Sequence, residues 1–105
     1  MTPELIEKNL ITIVAKSLQI PEITVKLSSS LMNDLDAESI DILDIRFAIE
    51  QTFGFKFNNE EIKGILVQAA ADRIFEEKDI PVLFTVGRLY DYIVYKLDQK
   101  NAVGE

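Results

Sequence analysis

Apolar positions recur at helical spacing in four stretches of this chain. In residues 3–18 the stripe is Leu5, Ile6, Leu10, Ile13, Val14 and Leu18. Thr2 is placed to cap that helix, Pro3 suits its first position, and Glu4 suits its positive end. Ile20-Pro21 predicts its stop. In residues 39–53 the core stripe is Ile42, Ile45, Ile49 and Phe53. A second apolar row, Ile40, Leu43 and Phe47, lies beside it, and Asp41, Asp44 and Glu50 fill much of the remainder. Gly54 predicts the end of this helix, and Phe55 and Phe57 are expected to plug the end of the bundle. Residues 58–77 carry Ile62, Ile65, Leu66, Ala69, Ala70 and Ile74, with Asn58 or Asn59 as cap. Residues 86–98 carry Val86, Leu89, Tyr90, Ile93 and Leu97, capped by Thr85. The expected organisation is one all-α domain over residues 1–98 and a frayed tail over 99–105.

Residues 21–38 are the long connection. Ile23, Val25 and Leu27 alternate with polar residues, as a strand would, but no second strand is there to pair with it. They predict a loop whose apolar side chains fasten it across the bundle. Ser28-Ser29-Ser30 is a small polar patch, and Leu31 and Leu35 are the expected anchors before the second helix. A loop this long is unusual unless it has a function.

Composition narrows the chemistry. The chain has 105 residues, 48% of them apolar, enough for one core and too many for a disordered acidic tail. Its net charge is −7 and its pI about 4.5. Nucleic acid is disfavoured as a partner, and basic proteins are favoured. There is no cysteine and no histidine. That excludes disulfides, thiolate metal sites and any Ser-His or Cys-His nucleophile. The apolar runs are too short to cross a bilayer. The start, Met1-Thr2-Pro3-Glu4, is acidic and lacks a long apolar segment, so the cytoplasm is the expected compartment.

The densest signal is Asp34-Leu35-Asp36-Ala37-Glu38-Ser39-Ile40-Asp41, which runs directly into the second helix. From Asp34 to Glu50 there are six acids and one base, Arg46. Acids in a first helical turn complement the helix dipole, but Asp44 and Glu50 lie beyond that turn. A surface of one sign is suited to a basic partner. Ser39 stands where an N-cap serine belongs, a role worth about 1 kcal/mol. Asp34, Asp36 and Glu38 have the alternation of a calcium loop. An EF-hand counted from Asp34 would need glycine and glutamate where Ser39 and Ile45 stand, so no metal site is assigned.

This stretch resembles the second-helix region of acyl carrier proteins. In that family a D-L-G-A-D-S-L-D type motif holds the serine that receives 4′-phosphopantetheine. The family's serine falls on Ser39, its preceding aspartate on Glu38, its following leucine on Ile40 and its usual glycine on Asp36. The likeness continues through Ile45, Ala48, Ile49, Glu50 and Phe53. Thr85, Val86, Leu89, Tyr92 and Ile93 resemble the family's final T-V-x-x-L-x-x-Y-I type helix. Between Phe53 and Thr85 the chain is longer than the family's usual connection. That length either enlarges the core or places Ala69 to Ile74 along an acyl pocket.

The resemblance implies a four-helix bundle that is a carrier and not an enzyme, with no catalytic residue of its own. It implies covalent 4′-phosphopantetheine, taken from coenzyme A, on Ser39. A chain without cysteine would obtain its thiol from that arm. The implied partners are a phosphopantetheinyl transferase and acyl-transferring or condensing enzymes with basic docking surfaces. They would meet a monomeric, non-membrane carrier in fatty acid, polyketide or specialised lipid synthesis. The docking residues would be Glu38, Ile40, Asp41, Leu43, Asp44 and Phe47. The competing reading is an unmodified acidic helical module that docks on a basic protein.

Overall fold

The computed structural model describes residues 2–61, 63–64 and 83–103. The chain is all-α. Among the described residues three helices are described from end to end: α1 (Pro3–Leu18), α2 (Ser39–Phe53) and α3 (Val86–Val103). A single 3₁₀ turn, Glu22–Thr24, interrupts the α1–α2 connection. The expected helix over 58–77 opens as predicted at residues 59–61, where Asn58 Oδ1 accepts from the N–H groups of Glu60 (2.9 Å) and Glu61 (3.2 Å). The Ala69–Ile74 stretch lies outside the described residues.

Helix α1 is the member that packs on both of the others. Ile6, Leu10 and Val14 are buried, and Ile13 and Leu18 are half-buried. They meet Ile45, Ile49 and Phe53 of α2 and Val86, Leu89 and Ile93 of α3 in one core. Each of these side chains contributes roughly 1.5–3 kcal/mol by burial. Leu5, expected in the stripe, is instead exposed. The buried face is completed by Ala15, so the stripe runs 6, 10, 14 with 15 beside it and leaves position 5 on the outer edge.

The helix ends follow the caps more closely than the apolar pattern. Thr2 Oγ1 accepts from Leu5 N–H (3.3 Å), and Thr85 Oγ1 accepts from Arg88 N–H (3.3 Å), as expected. Gly54 ends α2 at φ 75°. Helix α1, however, is stopped by Gln19 and not by Pro21. Gln19 is left-handed (φ 57°); its N–H reaches Lys16 O and the N–H of Ile20 reaches Ala15 O, at 3.3 and 3.0 Å. This is a Schellman motif with glutamine in the position where glycine is usual. Helix α3 continues to Val103, past the expected end at residue 98, since no Gly or Pro interrupts 98–103.

The connection is a loop stitched to the start of α3. Leu31 N–H donates to Phe84 O (3.1 Å), Val86 N–H to Ser29 O (2.9 Å) and Gly87 N–H to Leu27 O (2.8 Å). The two segments touch so closely at Gly87 that a Cβ there would lie 2.9 Å from Leu27 O. Val25 and Leu31 are buried and Leu27 and Leu35 half-buried, so these residues do fasten the loop. Ile23 does not: it projects from the 3₁₀ turn into solvent.

A polar cluster closes the far end of the bundle. Tyr92 is 1% exposed. Its hydroxyl accepts from Asn58 N–H and donates to Glu61 Oε1, both at 2.9 Å, and Lys96 Nζ lies 3.1 Å from the same carboxylate oxygen. Phe55 and Phe57 pack around the Tyr92 ring with centroids 5.8 and 5.2 Å away. The two phenylalanines therefore plug the bundle end as expected, and Tyr92 is, like Ala15, a core residue that the apolar pattern missed. Lys96 holds the Glu61 carboxyl below its ordinary pKa, while burial pushes the Tyr92 hydroxyl up to about 12.

Candidate functional site

The loop delivers Ser39 to the surface in a defined sequence of turns. Ser30 is buried at its start. Asn33 N–H donates to Ser30 Oγ (3.0 Å), and Ser30 N–H donates to Asp34 Oδ2 (2.8 Å). Asp34 thus belongs to the loop's internal bonding, and Ser29 likewise accepts from Lys26 N–H (3.1 Å). Leu31 is fully buried, and its carbonyl accepts from Ala37 N–H at 2.8 Å. Between them Asp36 takes a left-handed conformation, φ 56°. That explains the glycine usual at this position in the motif. Aspartate is among the few side chains that tolerate such a backbone.

Ser39 is not the N-cap. Glu38 is, with extended φ −95° and ψ 171°, and its carbonyl accepts the first helical bond from Ile42 N–H (3.0 Å). Asp41, at the third helical position, reaches back so that its Oδ2 accepts from Glu38 N–H at 2.9 Å. Ser39 is therefore the first helical residue. Its side chain is exposed, and among the described residues no hydrogen bond holds its hydroxyl. Cap duty would have turned that oxygen back into the first turn. Relieved of it, the hydroxyl stands open at a helix N-terminus, where backbone N–H groups favour an anion such as a phosphodiester.

Beyond Ser39, α2 divides into two faces. Ile45, Ile49 and Phe53 are buried and Ile42 half-buried. Ile40, Leu43 and Phe47 are 64, 61 and 63% exposed. Three large apolar side chains exposed in one row on a helix form a patch without a covering element among the described residues. Glu38 and Asp44 are exposed beside it. The single base of the stretch is turned away: the Arg46 guanidinium lies 5.1 Å from the centroid of the Phe57 ring. Glu50 is withdrawn as well, since its Oε2 accepts from Phe57 N–H at 2.7 Å. The six acids thus separate by task. Asp34, Asp41 and Glu50 bind backbone N–H groups, the Glu38 side chain is turned to the Asp41 N–H in a reciprocal capping box, and Asp36 and Asp44 remain outward. The partners of Asp34 and Glu50 lie outside any periodic pattern, whereas Asp41, three residues after Glu38, has the spacing of a capping box.

Among the described residues no group of three or more acids could hold a metal ion, and no helix is long and apolar enough to cross a membrane.

A sequence family described as a phosphopantetheine attachment site matches residues 8–66, a span that includes Ser39. An acyl carrier protein of Coprothermobacter proteolyticus (strain ATCC 35245 / DSM 5265 / OCM 4 / BT) is 34% identical over 65 residues. The aligned part covers 62% of this chain and 79% of that protein.

Proposed function

The chain belongs to the acyl carrier protein family, and from that premise we propose that Ser39 is its point of phosphopantetheine attachment and that the exposed row of α2 is its docking face. The observation that supports this most is the open Ser39 hydroxyl at the N-terminus of a helix whose outer side is apolar and acidic. The group, when attached, supplies a thiol that holds acyl chains as thioesters. The protein's own residues have three tasks. Asp36, Ala37 and Glu38 set the backbone that presents Ser39. Ile40, Leu43 and Phe47 give a transferase or an acyl-handling enzyme an apolar surface to cover. Glu38 and Asp44 steer basic partners to it, an effect felt mainly in association rate.

In this reading the protein is a monomeric cytoplasmic carrier and performs no catalysis. It serves fatty acid, polyketide or specialised lipid synthesis. The attachment site is tested by peptide mapping after incubation with coenzyme A and a phosphopantetheinyl transferase. Trypsin releases residues 27–46, which contain Ser28, Ser29, Ser30 and Ser39. Fragmentation of that peptide is expected to put the added group on Ser39. Placement on Ser28, or no addition to an intact fold, would overturn the assignment.

A further inference from the structure

Asp41 and Asp44 are equivalent in a helical-wheel reading, both acids near the start of an acidic helix, and the structure separates them. The Asp41 carboxylate accepts the Glu38 N–H at 2.9 Å. Asp44 is exposed and has no hydrogen-bond or ion-pair partner among the described residues. Resting on the carrier reading of Ser39, we infer that Asp41 is a positioning residue for the modification of that serine, acting through the Glu38 backbone rather than as a charge offered to the partner.

The residues before Ser39 are fixed in succession. Ala37 is buried, and its N–H is held by Leu31 O at 2.8 Å. The Glu38 N–H is held by Asp41, and the Glu38 carbonyl by Ile42 N–H at 3.0 Å. Asp36 allows the chain to reach this arrangement by turning through positive φ. Ser39 follows directly, its backbone set and its own hydroxyl unheld. Of the bonds made to the Glu38 backbone only the one from Asp41 comes from a side chain, so it can be removed without altering the backbone; the Glu38 side chain supplies the reciprocal half of the capping box, on the Asp41 N–H. The bond from Asp41 needs an oxygen acceptor and does not need a charge. An asparagine in place of Asp41 keeps an acceptor and loses the charge; an alanine loses both. A charge that meets the partner directly would be lost equally in the two variants.

The test compares native protein with Asp41→Asn, Asp41→Ala and Asp44→Asn, with helical content checked by circular dichroism. Transfer kinetics are measured at low salt and at about 0.5 M salt, where surface charge is screened. A cap bond of ordinary strength corresponds to about a five-fold shift in local opening. Asp41→Ala is therefore expected to lower kcat/KM, by at most about five-fold, at both salt concentrations, and Asp41→Asn to restore most of that loss. Asp44→Asn is expected to raise KM at low salt, an effect that salt removes. An independent readout is the Glu38 amide in NMR. Its temperature dependence should become that of a solvent-exposed N–H in Asp41→Ala and stay that of a bonded one in Asp41→Asn. Equal kcat/KM defects in the two Asp41 variants, both erased by salt, would overturn the inference, as would native kcat/KM in Asp41→Ala at both salt concentrations. A native chain that accepts no group would instead overturn the carrier reading, and the native control identifies that case separately.

Discussion

Replacing Tyr92 by phenylalanine removes one oxygen from the most enclosed polar cluster of the described fold. The ring would keep its contacts with Phe55 and Phe57, whose centroids lie 5.8 and 5.2 Å away. Two hydrogen bonds would go. Asn58 N–H would lose its acceptor, and Glu61 would lose a donor, both at 2.9 Å. An unsatisfied, partly buried N–H costs about 1–3 kcal/mol. The loss at Glu61 is smaller, because its side chain is partly solvated and Lys96 remains 3.1 Å away. The expected destabilisation at pH 7 is about 2–3 kcal/mol. For a domain of this size each kcal/mol lowers Tm by roughly 4–8 °C.

The same hydroxyl gives a second, independent readout. Burial raises its pKa from 10 to about 12 in the folded protein. A raised pKa means that the neutral form is the one the fold favours. That contribution is complete below pH 10 and is lost as pH rises toward 12. Two pH units correspond to at most about 2.7 kcal/mol, and the solvated side of Glu61 reduces this to about 2. Urea unfolding followed by circular dichroism, for native and Tyr92→Phe proteins from pH 7 to 11.5, measures the difference directly. The gap in stability should be about 2–3 kcal/mol at pH 7 and should narrow steadily above pH 10. A gap below about 0.5 kcal/mol at neutral pH, or one that stays constant with pH, would refute the assigned network.

Other positions give sharp expectations. Gly87→Ala would gain up to about 1 kcal/mol in an unconstrained helix. Here its Cβ would meet Leu27 O at 2.9 Å, so thermal unfolding should show a loss of about 1–3 kcal/mol. Gln19→Gly relieves the left-handed residue that ends α1, and urea unfolding should show a gain of about 0.5–1 kcal/mol. Phe47→Ala removes a side chain that is 63% exposed. It should leave the unfolding midpoint nearly unchanged and raise the KM for a transferase, whereas Ile49→Ala, in the core, should cost about 2–5 kcal/mol.

The elements were legible where the information is periodic or local. The alternation of Ile42, Ile45, Ile49 and Phe53 with Ile40, Leu43 and Phe47 predicted two faces for α2, and the structure buries the first set, Ile42 only in part, and exposes the second. Thr2, Thr85 and Gly54 announced helix ends by residue type alone. Ser39 also had the residue type of a cap, yet its neighbour Glu38 took that role, because Asp41 three residues on could return a bond to Glu38 N–H. Side-chain hydrogen bonds account for two further differences. Glu50 looked like a surface acid and holds Phe57, seven residues away in the chain. Tyr92 was left out of the apolar stripe of residues 86–98 and is buried, with its hydroxyl bonded to Asn58 and Glu61, more than thirty residues away. Such partners have no spacing rule that a single sequence reveals. The left-handed Gln19 was hidden for another reason: a glutamine there gives no signal, whereas a glycine would have.

The central claim is that this chain carries its prosthetic group on Ser39, and intact mass tests it most directly. Native protein and Ser39→Ala are each incubated with coenzyme A and a phosphopantetheinyl transferase of broad specificity, after circular dichroism has shown both to be folded. The account predicts one phosphopantetheinyl addition per native chain and none on Ser39→Ala. Addition to both proteins, or to neither, would contradict it.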